Sequence, residues 1–84
     1  METPPRILRR LDASRNMDRF YELTLEPTLF GQWAVVRRWG RFQSEGQKRE
    51  VWFDAPSPAV AFMDRLHSQK VRRGYLDLGA VPSC

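Results

Sequence analysis

Cysteine is almost missing from this chain of 84 residues, whose one thiol is Cys84 at the very end. A lone thiol closes no internal disulfide and builds no metal cluster, so the default compartment is reducing and intracellular, and we expect a cytoplasmic protein. Histidine is as scarce: His67 stands alone, with no cysteine nearby and no carboxylate pair at ligand spacing. It reads as a polar residue on a helix flank, and no metal is expected. No apolar run approaches the roughly 18 residues of a membrane span. The N-terminus, METPPRILRR, lacks the apolar core of a secretion signal, so a soluble, unprocessed chain with no membrane partner is expected. Catalytic constellations are missing too. Asp64 and Glu50 form no acid–base partnership, no Ser-His-Asp or Cys-His arrangement can be assembled, and the glycines spell neither a P-loop nor a dinucleotide fingerprint. A chain this short buries roughly 60 to 65 % of its unfolded surface, too little for a large internal cleft. We therefore expect no enzyme activity, no cofactor and no small-molecule substrate.

What is present is arginine. Fourteen basic residues face ten acidic ones for a net charge of +4, and twelve of the fourteen are arginines. The excess biases the chain toward anionic partners, and the planar guanidinium favours bidentate recognition of phosphate or carboxylate. A GC-rich genome would enrich arginine equally well. Three of the arginines fall in Gly31 to Gly46, GQWAVVRRWGRFQSEG, around which the chain is organised. From Trp33 the alternation sends Trp33, Val35, Arg37, Trp39 and Arg41 one way and Ala34, Val36, Arg38, Gly40 and Phe42 the other. Both faces begin apolar, as in a central strand covered on two sides, and the strand ends cationic. An aromatic ring beside guanidinium groups offers a nucleotide a stacking surface and phosphate-pairing forks. Gly40, without a Cβ, lets a ligand backbone or a neighbouring strand approach.

The flanking chain reads as support. Residues 1–5 are short and proline-bearing and should fray. Ile7, Leu8 and Leu11 with Arg6, Arg9 and Arg10 make a basic strand at a sheet edge, its arginines a solvated rim or phosphate contacts. Asp12 to Arg15 carry turn chemistry. Arg19 to Glu26 alternate as a strand with Tyr21, Leu23 and Leu25 buried. Residues 27–31 connect to the central strand, with Phe30 folding back onto the core or pairing with Leu29 as a docking patch. Gln43 to Gly46 form a hairpin loop, with Gly46 the candidate for positive φ. Residues 47–54 return as a strand, placing Lys48 and Arg49 near the loop and Val51, Trp52 and Phe53 in the core. Ser57 and Pro58 should cap and open a helix whose Ala59, Phe62, Met63, Leu66 and Lys70 share a side. Arg72 and Arg73 suit its last turn, Gly74 its left-handed stop, and Tyr75, Leu76 and Leu78 return to the sheet or cover its edge. Residues 79–84 read as a loose tail. The expected fold is a single α+β domain over residues 6–78, with a small antiparallel β-sheet of four to five strands and one α-helix on one face.

Beyond the tripeptide Trp39-Gly40-Arg41, ordered elements resemble the WGR domain family: Phe20-Tyr21, Arg38-Trp39-Gly40-Arg41, Gly46-Gln47, the helix with Ala59, Met63 and Leu66, then Lys70 and Gly74-Tyr75. The resemblance spans about residues 7 to 78. One departure is Gln43, where the family usually has glycine. In DNA-dependent poly(ADP-ribose) polymerases this domain sits at a DNA break, with its tryptophan stacked on a terminal nucleotide, basic residues meeting backbone phosphate, and the motif arginine relaying contacts between domains. Stand-alone bacterial members resemble only that recognition part. The resemblance thus implies a DNA-binding module for ends or nicks, in which Trp39 is the stacking platform, Arg38 a phosphate contact and Arg41 either a phosphate contact or a partner-facing residue. Arg38, Trp39, Gly40, Arg41 and Lys48 form the candidate nucleic-acid surface, with Arg37, Gln43 and Arg49 as further candidate phosphate contacts. Tryptophan and arginine serve protein interfaces equally, so a protein partner docking on Trp39 and Arg41 is the alternative.

Overall fold

The alternating runs pair into one antiparallel sheet in the computed structural model, which describes residues 4–78. Strand β1 spans Arg6–Asp12, β2 Met17–Pro27, β3 Trp33–Arg41 and β4 Gln47–Phe53; helix α1 spans Pro56–Arg72, and a short β5, Leu76–Asp77, follows. The strand order is β4-β3-β2-β1-β5, so the expected α+β fold is the one observed. The expected loose ends, residues 1–5 and 79–84, lie outside the described residues apart from Pro4 and Pro5.

Period-two burial on the strands meets a helical stripe. Leu8, Tyr21, Leu23 and Val35 pack against Ala59, Met63 and Leu66, which recur at the i, i+4, i+7 spacing of one helix face. The start of β3 is indeed covered on both sides, since Ala34 and Val36 are buried on the face away from α1. The middle strand, however, is β2 rather than β3, and β1 lies one place in from the edge because β5 pairs with Leu8 and Arg9. Two of the three arginines of β1, Arg6 and Arg9, are accordingly engaged within the fold. Arg6 pairs with Asp64 of α1 at 2.7 Å, and Arg9 donates to both carboxylate oxygens of Asp18 at 2.9 and 2.7 Å.

Helix α1 starts earlier than the cap chemistry implied. Ala55 holds the N-cap position in extended conformation without a side-chain cap, Pro56 opens the helix, and Ser57 lies inside the first turn. Proline's preset φ and missing N–H let Pro56 nucleate the turn ahead of the serine. At the other end Gly74, φ +98°, donates to Val71 O at 3.0 Å and Tyr75 donates to Lys70 O at 3.1 Å, the paired bonds of a Schellman stop. This reversal sends Tyr75 to the sheet, and β5 is tied back to α1 by His67 Nε2, 3.0 Å from Asp77 Oδ2.

Trp52, expected in the core, is partly outside, and Phe30, read as core or as a docking patch with Leu29, is exposed. Phe30 is 77 % exposed and Trp52 45 %. Their rings sit 6.3 Å apart on the face opposite α1, and the Trp52 indole N–H donates to Glu50 at 3.1 Å.

Candidate nucleic-acid interface

Strand parity divides the basic residues around Trp39 between two faces. Trp33 and Val35 pack toward α1. Arg37, Trp39 and Arg41 therefore emerge on the helix side and Arg38 and Gly40 on the reverse. Register extends the division to β4, since Arg49 lies opposite Arg37 and Lys48 opposite Arg38. The basic residues at the loop end of β3 and β4 are thus neighbours in space, as the hairpin implied, but as two separate pairs.

On the helix side a groove of about 570 Å³ opens beyond the C-terminus of α1, lined by Trp39, Tyr75, Lys70, Arg19, Arg41 and the backbone of Gly40, among others. Trp39 is half-buried. Its ring lies 6.3 Å from that of Tyr21, directly opposite on β2, and the Arg37 guanidinium lies 5.4 Å from its centroid. Lys70 places its ammonium 4.6 Å from the Tyr21 ring and 5.6 Å from the Tyr75 ring. Burial, then repulsion from Arg73 and Arg37, holds the Lys70 amine below its usual pKa. Arg19, Arg37, Arg41 and Arg49 make no ion pair among the described residues. The Arg37 Nε and the Tyr21 hydroxyl are buried without a hydrogen-bond partner among the described residues. A cationic groove walled by aromatic rings and short of counter-charge is chemically suited to a planar, anionic ligand.

The reverse face is neutralised. Arg38 sits 3.1 Å from Glu22, its register partner, and Lys48 3.9 Å from Glu50. Asp18 is held below its usual pKa chiefly by the hydrogen bonds from Arg9, whose guanidinium also lies 3.6 Å over the Phe42 ring. The hairpin uses the space that Gly40 leaves. A Cβ on Gly40 would sit 2.8 Å from the Gly46 Cα, and one on Gly46 would strike the Trp39 carbonyl oxygen. Gly46 has the expected positive φ, +70°, and Gln43, exposed at the tip, shares that value.

The candidate residues are therefore brought together only in part. Trp39, Arg41, Arg37 and Arg49 share the groove side, Gly40 contributes its backbone, Arg38 and Lys48 lie behind the sheet, and Gln43 stands at the hairpin tip. Reading the sequence missed Arg19, Lys70 and Tyr75 as lining groups. The signal for Arg19 was parity, since it lies two residues before buried Tyr21; the other two required knowing where the helix stop returns the chain. Among the described residues there is no group of His, Cys, Asp and Glu that could hold a metal, and no helix is long and apolar enough to cross a membrane.

The family model described as WGR domain matches residues 5–81. An uncharacterized protein, y4dW, of Sinorhizobium fredii (strain NBRC 101917 / NGR234) is 41% identical over 73 residues, covering 87% of this chain and 36% of that protein. The chain thus spans about a third of the length of that relative. No solved structure matches it.

Proposed function

The chain belongs to the WGR domain family, and from that premise we propose that it is a non-catalytic module that binds DNA at ends or nicks. A nucleotide stacks on Trp39, and Arg41, with Arg37 and Arg49 behind it, meets the phosphates. The observation that carries this reading is a half-open indole in a groove where Arg19 and Arg41 make no ion pair among the described residues. Stacking on an aromatic platform with phosphate pairing is tolerant of base sequence, so little sequence preference follows. Arg38 and Lys48, already paired with Glu22 and Glu50, serve the sheet before they serve a ligand.

Titration of labelled nicked and blunt duplexes at low salt tests the reading. Neutralising about four phosphates gives a slope of log K against log salt near −3.6, and Trp39→Ala weakens binding by about 1–3 kcal/mol. Absence of affinity for either duplex overturns it. The same guanidiniums would accept the carboxylates of an acidic protein, the second reading. A pull-down from native lysate with and without nuclease separates the two.

A further inference from the structure

Three arginines stand side by side across three strands. Arg10 of β1 is directly opposite Arg19 of β2, and Arg19 is directly opposite Arg41 of β3. They lie two residues beyond Leu8, before Tyr21 and beyond Trp39, so all three project on the helix side. Like charges directly opposite in an antiparallel pair are destabilising, and at about 4.8 Å per strand the outer members are only about 10 Å apart. Carboxylates elsewhere pair with Arg6, Arg9, Arg15 and Arg38, yet no member of this row makes an ion pair among the described residues. The nearest acid, Asp18, is bound to Arg9, and Arg41 reaches it only through space. Arg19 and Arg41 line the groove with Trp39, and Arg10 lies beside the helix stop, its Nε 3.5 Å from where a Cβ on Gly74 would sit.

We infer that Arg10, Arg19 and Arg41 form a phosphate track leading from Trp39 across the sheet toward the end of α1, so that the site holds consecutive phosphodiesters of one strand and not a terminal nucleotide alone. This rests on the DNA reading and deepens it. From Trp39 along β3 and across to β1 the path is about 17 Å, room for at most about five nucleotides at a rise of about 3.4 Å each. Track and stack together select a strand that continues past the stacked base, as at a nick, gap or overhang.

The test uses the whole chain, oligothymidylates of increasing length and a nicked duplex, with Arg10→Gln, Arg19→Gln and, as an equal-charge control, Arg72→Gln in the last helical turn. Affinity for oligothymidylate should climb with length and level off at or before about five nucleotides. Arg10→Gln and Arg19→Gln should each weaken binding several-fold and flatten the salt slope by about 0.7 on single strands, while Arg72→Gln leaves both unchanged. Without DNA, Arg19→Gln should raise the melting temperature by relieving repulsion from both neighbours. DNA binding that depends on Trp39 but keeps wild-type salt slopes in both track variants overturns the track and spares the DNA reading. An equal loss in Arg72→Gln, or a lowered melting temperature in Arg19→Gln, overturns the track as well. No binding of the wild type to any of the DNAs removes both.

Discussion

Gln43 shows how a backbone angle can outrank a side chain. It sits at φ +70°, where a side chain costs about 1–2 kcal/mol and glycine almost nothing. The family's preference for glycine at this position therefore follows from the hairpin's geometry, without any need for a ligand there. Gln43→Gly should stabilise the domain by about 0.5–1 kcal/mol after the larger chain entropy of glycine is subtracted. Urea unfolding measures the gain, and unchanged DNA affinity in the same variant would assign the residue to the loop. Trp39 teaches the complementary lesson: lying directly opposite Tyr21, it supports the core and borders the groove with one ring. A folded-state check must therefore accompany every truncation there.

At the scale of elements, α1 is held better at its end than at its beginning. The C-terminus is closed by the Gly74 stop and by basic residues in its last turn, whereas Ala55 offers no side chain to the first free N–H groups. Ala55→Asp should add a cap and raise stability by about 1 kcal/mol. An unchanged unfolding midpoint would mean that the two prolines of the first turn already leave too few donors to reward capping. The strands follow parity closely. Tyr21, Leu23 and Val35 were legible as buried from alternation alone, and Gly74 as a stop from its place after the helical stripe. The exposure of Trp52 was not, because an apolar run does not reveal which side of the sheet the helix covers, and Trp52 faces away from α1.

Across the whole molecule, charge around the β3–β4 hairpin is sorted by face, with the Arg38–Glu22 and Lys48–Glu50 pairs behind the sheet and Arg19, Arg37, Arg41 and Arg49 on the groove side without an ion pair among the described residues. Lys70 reports on the second group. Its folded-state pKa lies below 10.5, so between those two values the unfolded chain holds more protons and folding gains stability as pH rises. If the groove takes DNA phosphate as proposed, loss of the ammonium weakens that binding over the same interval. Wild type measured against Lys70→Met should therefore gain stability and lose affinity as pH climbs toward 10.5, and parallel profiles would show that Lys70 is not tuned by the groove. The sequence by itself determined the strands, the helix and its stop, the family, and the aromatic and basic residues at the loop end of β3, because these depend on local periodicity, turn chemistry and motif order. Only the tertiary structure decided that Arg38 and Lys48 stand behind the sheet beside carboxylates, that the hairpin fills the space Gly40 leaves, and that Arg10 and Arg19 continue the line begun by Arg41. Each of these depends on which residues oppose one another across strands, and that is set by register and layer packing between segments distant along the chain.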